Sequence, residues 1–162
     1  MKHLRLSTAM GLAVVLGLGW FALSPQRARA NFQGVGTGSY LTNITDASTG
    51  AFSSRSVITL HSDHTLTAID SGQEASSPTF SSQQGTWTQG YNGSVRASTL
   101  DFSFQSPQTI ARVDYVINTA SGEGNISGTL TLTIFPINGN PFGGGGTVVG
   151  NFNFTGQSVP VE

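Results

Sequence analysis

From about residue 36 onward, apolar and polar residues alternate in short runs separated by Gly, Pro, Asn and Asp, and no window longer than a few residues carries helical spacing. The cleanest run is 125–135. Its Ile126, Gly128, Leu130, Leu132 and Ile134 share one face, and Ser127, Thr129, Thr131 and Thr133 share the other. That is the signature of a strand with a core side and a water side. The stretch 85–104 reads as a complete hairpin around Asn92-Gly93, a dipeptide that accepts the positive φ angles of a tight turn. In its second strand Arg96, Ser98, Leu100, Phe102 and Phe104 alternate with Val95, Ala97, Thr99, Asp101 and Ser103. The face bearing Leu100, Phe102 and Phe104 is expected to point inward and to take Arg96 with it.

Eight segments qualify as strands, at about 36–45, 55–61, 64–71, 85–89, 94–104, 109–118, 125–135 and 148–159, which makes the chain all-β. Four carry Gly-x-apolar: Gly38-Ser39-Tyr40, Gly85-Thr86-Trp87, Gly128-Thr129-Leu130 and Gly150-Asn151-Phe152. A glycine two residues before a bulky inward side chain lies on the same face and leaves room for the coiling that a small closed barrel demands. The expected architecture is an eight-stranded antiparallel up-and-down barrel, with an open sandwich as the alternative. In such a meander the connections alternate between the two ends. The second, fourth and sixth are short, whereas the first, third and seventh are long, so one end is expected to be closed and the other to be a rim of loops. Phe52, Phe80 and Phe142 fall in the long loops, where they would either gate a ligand or plug the top of a filled barrel.

The ends and the composition add compartment. Residues 1–30 read as an export signal: Lys2 and Arg5, then an apolar run at 9–23, then Ala28-Arg29-Ala30 as the cleavage pattern. The run is shorter than the roughly 20 residues of a spanning helix. The expected product is a secreted or periplasmic single domain, 31–162, with no membrane span. It holds no cysteine, which excludes disulfide scaffolds and thiol chemistry. Three arginines and no lysine remain against eight carboxylates, a net charge of −5, which leaves almost nothing for a nucleic acid to bind.

Candidate chemistry is sparse. Arg96 would lie deep in the barrel, where it either anchors a carboxylate or carbonyl of a ligand or pairs internally with a carboxylate or an aromatic ring. His61, Asp63 and His64 crowd one turn, but ordinary turn chemistry accounts for them, and neither a metal site nor a cofactor is expected. Asp70, Asp101 and Asp114 fall on separate strands whose order fixes no distance between them. There is no Gly-x-Ser-x-Gly elbow, and Gly34-Val35-Gly36-Thr37-Gly38 precedes a strand rather than a phosphate-binding helix.

Gly38-Ser39-Tyr40 near the start of the first strand, together with the asymmetric loops, resembles the lipocalins and the wider calycin group, with Tyr in place of Trp and no arginine in the last strand to pack over it. The order of Gly-x-Tyr, the hairpin 57–66, Gly85-Thr86-Trp87 and the strand 96–102 is similar to short bacterial secreted proteins with a lipocalin-like barrel. The resemblance implies a barrel open at the rim of the first, third, fifth and seventh connections. The expected function is binding of a small apolar or amphipathic molecule, with Tyr40, Trp87, Arg96, Leu100, Phe102, Phe104, Leu132, Phe152 and Phe154 as the ligand-facing set. The alternatives are an isomerase or cyclase of the allene oxide cyclase barrel kind, and a filled barrel that serves as a structural or interaction module.

Overall fold

The computed structural model describes residues 36–75, 79–119 and 124–160. The expected export signal, residues 1–30, lies outside them. Eight antiparallel strands close into a barrel in chain order: β1 (Gly38–Asp46), β2 (Phe52–Leu60), β3 (Thr65–Asp70), β4 (Gln83–Gln89), β5 (Val95–Phe102), β6 (Thr109–Thr119), β7 (Asn125–Pro136) and β8 (Thr147–Ser158). Closure is made by β1 against β8, paired from Tyr40 opposite Ser158 to Asp46 opposite Phe152. One helical turn, α1 (Gly72–Ala75), interrupts the β3–β4 connection; the alternation did not foretell it.

The meander places the connections after β1, β3, β5 and β7 at one end and those after β2, β4 and β6 at the other. His64 and Asn92 therefore lie at the closed end, and both adopt positive φ, 70° and 65°, as tight turns at those points require. Phe52, Phe80 and Phe142 belong to the opposite end. Only Phe80 is half-buried, whereas Phe52 and Phe142 are exposed, so neither of these two plugs the barrel.

Coiling tight enough for an eight-stranded ring brings neighbouring backbones together, and two glycines mark where. A Cβ on Gly85 would meet the Ser98 carbonyl oxygen at 1.9 Å, and one on Gly128 would meet the Val116 carbonyl oxygen at 2.0 Å. No side chain fits in either place.

Interior residues separate into two halves. At the closed end, Tyr40, Leu60, Leu66, Trp87, Val95 and Ile117 pack into a dry cluster with Ile58, Ile126 and Phe154. The Trp87 indole N–H donates to the His61 carbonyl at 3.0 Å, and the His64 ring lies edge-on to it at 4.6 Å. Asp63 accepts from the Thr65 N–H and hydroxyl at 2.9 and 2.6 Å, so this turn is held by ordinary side-chain capping.

On β5 the structure reverses the expected faces. Val95, Ala97, Thr99, Asp101 and Ser103 are buried, while Arg96, Phe102 and Phe104 are exposed and Leu100 is half-exposed on the outer side. Pairing shows why. Trp87 lies opposite Ala97, and Gly85 opposite Thr99, so the interior accepts a large ring on β4 only because its neighbour on β5 is small. Arg96 instead borders a shallow outer groove with Thr88, Ser98 and Asp114.

The β7–β8 connection is fastened to the outer wall. Phe135 faces outward yet is buried, opposite Ile110 and against Gly146, and the Arg112 guanidinium lies 5.4 Å from its ring centre. Arg112 also donates to the Pro141 carbonyl and to Asp114 at 2.9 Å.

Candidate functional site

The open half of the barrel encloses a cavity of about 400 Å³ with two unlike walls. Ile44, Leu130, Leu132, Phe152, Ala111 and Val113 form an apolar wall from β1, β6, β7 and β8. Across from it, Ser54, Asp70, Gln73, Gln83 and Asp101 form a largely polar one with Phe80 at its edge, and the Tyr115 hydroxyl reaches toward it from β6. Among the described residues, no Lys, Arg or His lines this space.

The polar wall is built outward from α1. Asp70 ends β3 with its carboxylate accepting from the Gly72 N–H at 2.7 Å and from the Ser54 hydroxyl at 2.9 Å, which turns the chain back across the barrel mouth. Gln73 follows and is clamped on three sides. Its Oε1 accepts from the Asp70 N–H at 2.9 Å, and its Nε2 donates to the Ser81 carbonyl at 2.7 Å and to Asp101 Oδ2 at 2.9 Å. The helical turn thus holds one amide against one carboxylate. Deeper, the Gln83 side-chain oxygen accepts from the Tyr115 hydroxyl at 2.6 Å and from Thr99 at 3.0 Å.

Asp101 stands out in this network. It is 3% exposed, yet its Oδ1 has no hydrogen-bond partner among the described residues. A buried carboxylate oxygen without a donor is costly, since it has lost water and gained nothing. Burial pushes the Asp101 carboxyl up to about 6; the Asp70 charge adds to the rise, and the Gln73 amide opposes it. Burial likewise raises Asp70, against the Gly72 and Ser54 hydrogen bonds. Tyr115 is held well above the usual phenol range by burial first, with the two carboxylates adding to it, and so stays a neutral donor.

The expected ligand-facing set divides accordingly. Leu132 and Phe152 line the cavity. Phe154 packs beneath it, edge-on to Tyr115 at 6.3 Å, while Tyr40 and Trp87 belong to the closed-end cluster. Arg96, Leu100, Phe102 and Phe104 are on the outside, so the expectation of an interior cation is overturned: the charge inside the barrel is acidic. Of the three aspartates singled out, Asp70 and Asp101 share the cavity. Asp114 lies on the outer wall with Arg112 and Ser98. Ser54, Gln73, Gln83 and Tyr115 were not foreseen. The one available signal was Gln83 preceding Gly85 and Trp87 at the two-residue spacing of a common face.

No group of three or more His, Cys, Asp or Glu in position to hold a metal ion occurs among the described residues. No family model, curated protein or solved structure matches this chain.

Proposed function

We propose that this protein is an exported, lipocalin-like binding barrel that holds one small amphipathic molecule in the open half of its interior. The observation that supports this reading is the cavity itself: about 400 Å³, within the range of small-molecule sites, with an apolar wall facing a pre-oriented polar one. A barrel filled throughout by side chains would need no such space. A hydrogen-bonded amide network fixed by α1 is the kind of preformed polar edge that orients a ligand.

A neutral fluorescent probe, N-phenyl-1-naphthylamine, tests the reading. It should bind saturably with one-to-one stoichiometry, and Ala111→Phe, which places a ring in the cavity, should abolish binding without lowering the melting temperature by more than a few degrees. Arg96→Ala, on the outer wall, should leave the affinity unchanged. Probe binding that survives Ala111→Phe would refute the site, and absence of saturable binding would refute the function.

A second reading, catalysis of the isomerase kind, is favoured by one observation. Asp101, raised to about 6 inside the cavity, is suited to proton transfer near neutral pH. Recovery of bound ligand chemically unchanged after prolonged incubation would dismiss it.

A further inference from the structure

Resting on the binding reading above, we propose that the ligand carries a protonated amine, which docks on Asp101 Oδ1 while its apolar body lies against Leu130, Leu132 and Phe152. Three observations point to this chemistry. Asp101 is buried, helps to line the cavity, and keeps one carboxylate oxygen without a hydrogen-bond partner among the described residues. Its other oxygen is engaged by the Gln73 amide, so Oδ1 is the oxygen left to pair. Among the described residues, the cavity lining holds two aspartates and no cationic side chain.

These facts decide among head groups. A carboxylate or phosphate would enter a space that already carries two acidic groups and would meet repulsion at both. A neutral hydroxyl could donate to Oδ1, but it would leave the negative charge uncompensated. An ammonium supplies the donor and the charge together, and hydrogen bonds between ionised partners are about twice as strong as neutral ones. A bare divalent cation is less suited, because calcium takes roughly six to eight oxygen ligands and this wall offers two carboxylates, one of which is already engaged by Ser54 and Gly72. Binding should depend on pH through Asp101. The titratable groups facing it among the described residues are Asp70 from β3 and Tyr115 from β6, and Tyr115 remains neutral throughout.

The test displaces N-phenyl-1-naphthylamine from the purified protein with three ligands of similar shape: 2-(1-naphthyl)ethylamine, 2-(1-naphthyl)ethanol and 1-naphthylacetate. At about pH 8 the amine should bind roughly tenfold or more tightly than the alcohol, and the carboxylate most weakly. Lowering the pH to about 5 should protonate Asp101 and bring the amine to within about threefold of the alcohol. Asp101→Asn should remove the amine's advantage at about pH 8 while the alcohol keeps its affinity within about threefold, and Asp70→Asn should produce a smaller loss. Should Asp101→Asn fail to fold, the pH comparison on the unmodified protein decides the matter alone. Equal binding of amine and alcohol at about pH 8, or an amine preference unchanged at about pH 5, would overturn the inference while leaving the binding function standing. Failure of the probe and of all three ligands would overturn both.

Discussion

Replacing Asp101 by Asn removes the ionisation but keeps the shape, and the effect on stability has a sign that the structure dictates. Burial raises the Asp101 carboxyl from its ordinary 3.8 to about 6, so between those values the folded chain holds a proton that the unfolded chain has released. Stability contributed by this group is therefore unpenalised below about pH 4, falls as the pH rises through about 6, and stays reduced above it. A rise of about two units corresponds to about 3 kcal/mol at roughly 1.4 kcal/mol per unit, taken as an upper figure because α1 and the cavity admit some screening. Asn can still accept from Gln73, and whatever its amide gains or loses at the Oδ1 position is independent of pH. The informative quantity is thus the difference in unfolding free energy, Asp101→Asn minus wild type, measured by urea titration with Trp87 fluorescence between about pH 4 and pH 8. It should grow in favour of the variant by roughly 2–3 kcal/mol across that range. The subtraction cancels carboxylates that do not couple to Asp101, including Asp46, whose loop hydrogen bonds from Ser48 and Thr49 hold it at about 2 and whose contribution runs the opposite way; the Asp70 charge, which faces Asp101, belongs to the difference being measured. A difference flat to within about 0.5 kcal/mol would mean that Asp101 is solvated in the folded protein, and the reasoning about the cavity would fail with it.

Three further substitutions bear on the frame around the site. Gly85→Ala sets a methyl 1.9 Å from the Ser98 carbonyl oxygen and 2.6 Å from Thr99 Cα, both backbone atoms, and should cost several kcal/mol or prevent folding. Gly144→Ala, with nothing within 4 Å, should shift the urea midpoint negligibly. Arg112→Ala removes the hydrogen bond to Pro141, the pair with Asp114 and the cover over Phe135. It should cost about 1–2 kcal/mol, and limited proteolysis should show faster cleavage in the stretch 137–146.

The architecture was legible because alternation, turn residues and loop lengths all speak locally. All eight strands, the meander and the closed end follow from them, and the inward face of β7 is where the pattern puts it. The site was legible only in part, for two physical reasons. First, period-two alternation defines two faces but does not say which is inside when both are mixed. On β5 that choice was made by the partners Gly85 and Trp87, whose bulk and lack of bulk fix what fits opposite. Weighing the hydrophobicity of Leu100, Phe102 and Phe104 alone ignored which side chains the neighbouring strand sets beside each face. Second, the polar wall is built from Ser and Gln residues that read as loop. Extending β2 back to Phe52 and β4 back to Gln83 brings Ser54 and Gln83 inside, and only the fold brings Gln73 from α1 onto Asp101.

The seam between β1 and β8 has a consequence for how the chain reaches this state. Tyr40 and Ser158 are joined across almost the entire barrel sequence, and until they meet, the sheet has two bare margins of unpaired N–H and C=O groups. Nothing else in the described ring substitutes for that last pairing. The unclosed form would be an open eight-stranded sheet with two free edges, weakly charged and rich in Thr, the kind that adds strands from its neighbours. Contacts so distant in sequence also form slowly, because loop closure must precede the gain. Pairing with another chain at a bare margin therefore competes with closure of the seam, and that competition sharpens as the protein concentration rises.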